Sequence, residues 1–214
     1  MDDKTLRSEI IDELDFEPSV RSQNIGVSVS NGVVTLTGHV ESYAEKLAAE
    51  RAVNRLKGVK AVAMELEVQL PSALRTSDEE IAKRALDVLK WSVGVPDAVK
   101  VKVEKGWLTL SGSVDWGYQR QAADKAVNKL VGVRGVSNLI VIRAAVSPTN
   151  VREKIEKAFL RNAELEADRI TVKAANGTIT LEGAVKTWHE RQIAEQAAWS
   201  APGVTAVEDR IRVS

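Results

Sequence analysis

One segment recurs three times along this 214-residue chain, and that repetition constrains the fold more than any other feature. Val33-Val34-Thr35-Leu36-Thr37-Gly38-His39-Val40 returns as Trp107-Leu108-Thr109-Leu110-Ser111-Gly112-Ser113-Val114 and again as Thr178-Ile179-Thr180-Leu181-Glu182-Gly183-Ala184-Val185. Gly32, Gly38 and Gly58 of the first copy become Gly106, Gly112 and Gly132, then Gly177, Gly183 and Gly203. A chain whose length alone points to one or two domains therefore reads as three modules: 1–71, 72–146 and 147–214. Modules of this size bury modest cores and gain from docking on one another.

Each copy spells out the same elements. Leu6, Ile10 and Leu14 fall on one helical face, as do Ile81, Ala85 and Leu89, and Val151, Ile155, Ala158 and Phe159. Ser77-Asp78-Glu79-Glu80 has the form of a capping box, and Ser147-Pro148 that of an N-cap followed by Pro at the first helical position. Val99, Val101 and Val103 alternate with charged residues, as in a strand with one buried face. Asn31-Gly32, Lys105-Gly106 and Asn176-Gly177 supply hairpin turns, and Asn-Gly suits a turn that needs positive φ. A second, alanine-rich helix is expected over 43–56, 118–130 and 189–201, stopped by Gly58, Gly132 or Gly203 as left-handed caps. A last strand follows each. The second and last strands are joined through a helix, so they should be parallel. The predicted fold class is α+β: three tandem αββαβ modules, each a three-stranded mixed sheet with two helices on one face. The linkers, 70–73 and 144–148, are short, so the modules should touch.

The element order, the strand ending in Leu-x-Gly-x-Val, the alanine-rich helix and the closing Gly-Val together resemble the BON domain, in all three copies. The resemblance implies a non-enzymatic, phospholipid-binding role in the cell envelope and in osmotic stress. It places the family glycine at Gly38, Gly112 and Gly183, where its role is backbone geometry as the second strand leaves the sheet, not ligand chemistry. Many members of that family are exported. Met1-Asp2-Asp3-Lys4-Thr5-Leu6 is acidic and polar where an export leader is basic and then apolar, so the sequence as written points to the cytoplasm, or to the periplasm if a leader has been removed.

Catalytic chemistry has little to work with. There is no cysteine, and the two histidines, His39 and His189, are not repeated between copies. No metal-ligand spacing, Walker loop or Gly-x-Ser-x-Gly is present, so no metal, cofactor or enzymatic activity is expected. His39 reads as an exposed loop residue. Gly132-Val133-Arg134-Gly135 has the Gly-x-x-Gly form with which KH domains clamp a nucleic-acid backbone. Here it lies between a helix and a strand, which favours a folding turn, and the zero net charge also argues against a nucleic-acid partner.

Charge and aromatic residues divide the copies. Residues 1–71 carry 8 basic against 12 acidic side chains, 72–146 carry 12 against 8, and 147–214 carry 10 against 10. All five tryptophans lie in modules two and three. Trp116, Tyr118, Arg120, Lys125, Lys129 and Trp188 combine amphipathic aromatics with basic residues near the second helix. They are candidates for contact with an anionic phospholipid or membrane surface. The alternative is that the rings cap cores or fill module boundaries. The outer sheet face of module three is polar, whereas module two places Trp107, Leu139 and Val141 there. Those three are expected to dock on another module, a second subunit or a protein partner, which would make the chain a scaffold or a homo-oligomer.

Overall fold

The computed structural model describes residues 2–143, 150–162 and 167–213. Module one runs α1 (Asp3–Phe16), β1 (Ile25–Ser30), β2 (Val33–Val40), α2 (Tyr43–Asn54) and β3 (Ala61–Val68). Module two runs α3 (Asp78–Trp91), β4 (Lys100–Glu104), β5 (Trp107–Ser111), β6 (Ser113–Val114), α4 (Gly117–Val127), β7 (Gly135–Asn138) and β8 (Val141–Ile142). Module three runs α5 (Val151–Leu160), β9 (Ile170–Ala175), β10 (Thr178–Val185), α6 (Trp188–Trp199) and β11 (Ala206–Val213). In module one β2 is central, antiparallel to β1 and parallel to β3, and module three repeats this with β10.

The fold is the α+β arrangement expected from sequence. Leu6, Ile10 and Leu14 of α1 and Ala48, Ala49, Ala52 and Val53 of α2 are buried with Val34, Leu36 and Leu66 of the sheet in one core. At roughly 25 cal/mol per Å² of apolar area removed from water, this shared face is the main stabilising term. Small alanines let the second helix lie close to the sheet. All three hairpin turns have positive φ at both central residues, and Lys105 adopts this geometry as Asn31 and Asn176 do.

Several local expectations need correction. The second helices end at Asn54, Val127 and Trp199, short of the predicted 56, 130 and 201. Arg55 N–H bonds to the Ala52 carbonyl and Leu56 N–H to that of Val53, so the last turn tightens before Gly58 is reached. Gly58, Gly132 and Gly203 keep positive φ but close the turn beyond the helix. At Ser77 only half of the capping box forms: Glu80 N–H donates to Ser77 Oγ, while the Glu80 carboxylate pairs with Arg84. In module two the long strand pair is interrupted, giving β6 and β8 as a separate two-stranded piece. Asn138 Oδ1 accepts the Ile140 N–H there, as Asp209 Oδ1 accepts the Ile211 N–H in the unbroken β11. The Ser147-Pro148 cap and the 144–148 linker lie outside the described residues.

A helix-to-turn clamp escaped sequence reading. The Asp3 carboxylate accepts the N–H groups of Asn31 and Gly32 at 2.6 and 3.0 Å. Asp78 does the same for Lys105 and Gly106 at 2.7 and 2.8 Å. Each is a first-turn helix residue that fixes the tip of the following hairpin, through charge-assisted bonds typically contributing about 1.5–3 kcal/mol.

The modules close into a ring. Tyr43, at the start of α2, packs on the core shared by modules two and three. Burial, with the charge of Asp124 from module two adding to it, pushes its phenol above the usual value. Gly117, the equivalent residue of α4, lies so close to Trp199 of module three that a Cβ would sit 2.6 Å from its carbonyl oxygen. Trp188, the equivalent residue of α6, packs on the core of module one and donates its indole N–H to the Val59 carbonyl at 3.0 Å. One head-to-tail contact is thus used three times and returns to its origin, as a heterologous interface must if it is to close.

Candidate functional site

The N-terminus of the second helix is where the repeats diverge most. In modules one and three a hydroxyl caps it: Ser42 Oγ accepts from Glu45 N–H and Thr187 Oγ1 from Glu190 N–H. Module two has Trp116 in that slot. An indole has no acceptor oxygen, so only the return bonds remain, from Asp115 and Trp116 N–H to Gln119 Oε1. Loss of an N-cap hydroxyl costs about 1 kcal/mol. The position thus carries an exposed tryptophan at the expense of the helix.

Trp116 does not stand alone. Its ring centroid is 6.4 Å from that of Tyr118, and Tyr118 lies against Gly94. The segment reaching Gly94 carries Trp91 and Val93, which are 83% and 97% exposed. The 14-residue helix α3 buries Ile81, Ala85 and Leu89, and Trp91 falls off that stripe at its end. Tyr118 thus meets the segment that follows Trp91 and Val93, and all four of Trp91, Val93, Trp116 and Tyr118 are exposed. Sequence reading found Trp116 and Tyr118 but not Trp91 and Val93. The available signal was a tryptophan just past the last buried position of an amphipathic helix.

The other proposed lipid residues lie elsewhere. Trp188 is half-buried in the boundary between modules three and one, so it is no part of this end. Its ring is covered by Arg191, whose guanidinium lies 4.9 Å from the ring centroid and bridges to Asp209 at 2.6 Å. Arg120 stacks 4.7 Å over Trp199 at the boundary of modules two and three. Lys125 and Lys129 line a third place, a cleft of about 610 Å³ between modules one and two. Ala44, Leu47, Val88, Ala126 and Leu130 supply its apolar surface, and Arg51 joins the two lysines. The six residues grouped by sequence thus belong to four different places.

On the outer sheet face of module two, Trp107, Leu139 and Val141 are 51%, 64% and 55% exposed. Among the described residues no other module covers them. Nor do they make one patch. Trp107 pairs with Gly135 and Val141 with Ser113, six residues further along the strand, or about 20 Å. Trp107 lies across Gly135 and donates its indole N–H to Ser137 Oγ at 2.9 Å. In module three the corresponding face carries Glu182, bridged by Lys173 at 2.5 Å, and Arg210, bridged to Glu208 at 2.8 Å. Hydrogen bonding by Lys173 holds the Glu182 carboxyl below its usual range.

The Gly-x-x-Gly loop presents no glycine pair to a phosphate: Gly132 and Val133 are buried, and Gly135 is covered by Trp107. Gly38, Gly112 and Gly183 have φ of 108°, 111° and 144°. A Cβ on each would lie 2.1, 2.2 or 2.0 Å from the carbonyl oxygen of Asn24, Ala98 or Arg169. Their role is backbone geometry, but Gly38 and Gly183 sit within continuous strands and do not mark where the strand leaves the sheet. His39 is in β2 and half-buried, not in an exposed loop, and His189 lies in α6. Among the described residues there is no cluster of His, Asp and Glu able to hold a metal ion. No described helix is long and apolar enough to cross a membrane.

Comparison with known proteins bears on all three modules. The BON domain family matches at residues 2–69, 77–144 and 147–214. Osmotically-inducible protein Y of Escherichia coli (strain K12) is 30% identical over 148 residues, covering 64% of this chain and 71% of that protein. Among solved structures, CdsD, a structural protein of the type III secretion system of Chlamydia trachomatis, aligns over 98% of this chain and 92% of its own at 17% identity. Its TM-score of 0.27 is too low to carry an argument.

Proposed function

The chain belongs to the BON domain family, and from that premise we propose that it is a non-enzymatic envelope protein of the osmotic stress response that attaches to anionic phospholipid surfaces. The stress role rests on similarity to the osmotically inducible relative. The attachment rests on one observation: Trp91, Val93, Trp116 and Tyr118 of module two are exposed, with Tyr118 against the Gly94 that follows Val93. Trp and Tyr suit the headgroup layer, where one part of the ring is apolar and the other wet. Module two carries the excess of basic residues, which adds attraction to anionic lipid that fades with salt.

The test is co-sedimentation with phosphatidylglycerol–phosphatidylcholine vesicles. Binding should weaken from low to high salt, and Trp91→Ser with Trp116→Ser should lower the partition about tenfold or more, since each buried ring contributes about 1.5–3 kcal/mol. Trp116→Ser also restores the N-cap found in modules one and three. That variant should therefore be more stable than the wild type by about 0.5–1 kcal/mol while binding vesicles less. Equal co-sedimentation of wild type and double variant would end this reading.

A second reading, self-association, is favoured by Leu139 and Val141, exposed together on the interrupted edge of module two. An apolar edge is a template for pairing with another chain. It predicts dimers in sedimentation equilibrium without lipid, lost in Val141→Lys. A monomer at micromolar concentration sinks it.

A further inference from the structure

On the outer sheet face of module two, Trp107 is held as a platform. Its indole lies on Gly135, the residue paired with it across the sheet. A Cβ added at Gly135 would stand 2.4, 2.6 and 2.7 Å from Cζ3, Cε3 and Cη2 of the ring. Distances so nearly equal place that carbon over the ring's flat face. A carbon meeting the ring at its edge would lie much further from the two atoms that flank the nearest one. The indole N–H donates to Ser137 Oγ at 2.9 Å. With one face on the sheet and its donor satisfied, Trp107 is still 51% exposed, so the other face is turned to solvent.

The arrangement takes three residues, and all three differ from the other copies. Module two pairs Trp107 with Gly135 and Thr109 with Ser137. Module one pairs Val33 with Ala61 and Thr35 with Ala63 at the same places. Module three pairs Thr178 with Ala206 and Thr180 with Glu208. Glycine stands only where the ring needs its space, and the serine hydroxyl only where the indole needs an acceptor. Beside the ring is a hollow of about 260 Å³ lined by Lys102, Glu104, Lys105, Trp107 and Thr109. Lys102 and Glu104 bridge there at 3.0 Å, both mostly exposed. Such an exposed pair holds so weakly that a ligand hydroxyl can enter it.

Charge complementarity selects the occupant. The hollow holds one carboxylate and two ammonium groups. A nucleic acid would bring its phosphates against Glu104, and an acyl chain would strip water from charged groups without replacing the hydrogen bonds. Sugar hydroxyls each donate and accept. Neighbouring hydroxyls therefore match Glu104 as acceptor and Lys102 and Lys105 as donors. The C–H groups on the face of a pyranose are slightly positive and meet the negative face of the indole. We propose that Trp107 and this hollow bind an uncharged glycan. One pyranose ring stacks on the indole, and its hydroxyls bond to Glu104, Lys102 and Lys105. The indole is fixed beforehand, so little freedom is lost on binding. The site draws on none of the residues assigned to lipid contact and stands whether or not the chain attaches to a bilayer.

The experiment is a nuclear magnetic resonance titration of the full chain with cellohexaose and with N-acetylchitohexaose. It reads the Trp107 indole N–H and the backbone N–H groups of Thr109 and Gly135. One or both sugars should shift these signals saturably, with a dissociation constant of about 1 mM, as ordinary ligand efficiency gives for one stacked ring. The shifts should be equal at low and high salt, since the ligand carries no charge. Trp107→Ala, at a position outside the core, should weaken binding about tenfold, read at Thr109. Gly135→Ala keeps every polar group and matches the alanine of modules one and three, yet lifts the ring from its bed, and should weaken binding several-fold. Trp91→Ser with Trp116→Ser should leave it unchanged. Three results would each overturn the proposal: no saturable shift with either sugar, shifts undiminished in Trp107→Ala, or a response confined to a thymidine oligonucleotide and lost with salt, as phosphate binding is.

Discussion

Gly183→Ala should unfold module three. Its φ of 144° lies in a region essentially reserved for glycine, and an added Cβ would stand 2.0 Å from the Arg169 carbonyl oxygen. That atom is backbone and cannot rotate away. The added methyl must push β10 from the turn that precedes β9. The expected loss is at least about 3 kcal/mol, a large part of what a module of this size has to lose. Gly38→Ala and Gly112→Ala should behave alike, since their Cβ atoms would meet Asn24 and Ala98 oxygens at 2.1 and 2.2 Å. Urea unfolding followed by circular dichroism measures the effect. Gly26→Ala is the informative contrast, because its Cβ would meet only the Thr37 hydroxyl at the end of a side chain. If Gly183→Ala unfolds at the wild-type midpoint, the close backbone approach is not a requirement of the fold.

Trp188→Ala should open the ring. The substitution removes a large ring packed on the module-one core, leaves the Val59 carbonyl without its indole donor, and strips Arg191 of the surface it covers. Buried tryptophan truncations cost about 3–5 kcal/mol, and this half-buried ring should fall near the lower end. The consequence is specific to the boundary between modules three and one. Far-ultraviolet circular dichroism should persist, while the radius of gyration from small-angle scattering rises as module one swings away. Trp91→Ala, which removes an 83% exposed ring, should leave stability within about 0.5 kcal/mol. An unchanged scattering radius for Trp188→Ala would mean that the remaining contacts hold the ring closed.

The repeat made the module legible because it is written in local terms. Apolar residues at helical spacing, alternating valines and Asn-Gly turns name each element, and tripling removes the ambiguity of any single copy. The clamps by Asp3 and Asp78 were not legible, since nothing local ties a helix residue to a hairpin tip 28 or 27 residues away. The candidate site was half legible. Trp116 and Tyr118 stand out by composition, but the segment that carries Trp91 and Val93 comes from a different element and reaches Tyr118, at Gly94, only across the fold.

By itself the sequence determined the module, its order and its triplication, because those follow from spacing along one chain segment. Only the tertiary structure decided how the modules meet. Tyr43, Gly117 and Trp188 look unrelated in sequence, yet one equivalent position carries all three boundaries. The same closure sorted six similar-looking residues into an exposed end, two buried boundaries and an apolar cleft. The physical reason is that burial, and with it the meaning of a tryptophan or a lysine, is set by what the neighbouring module places against it.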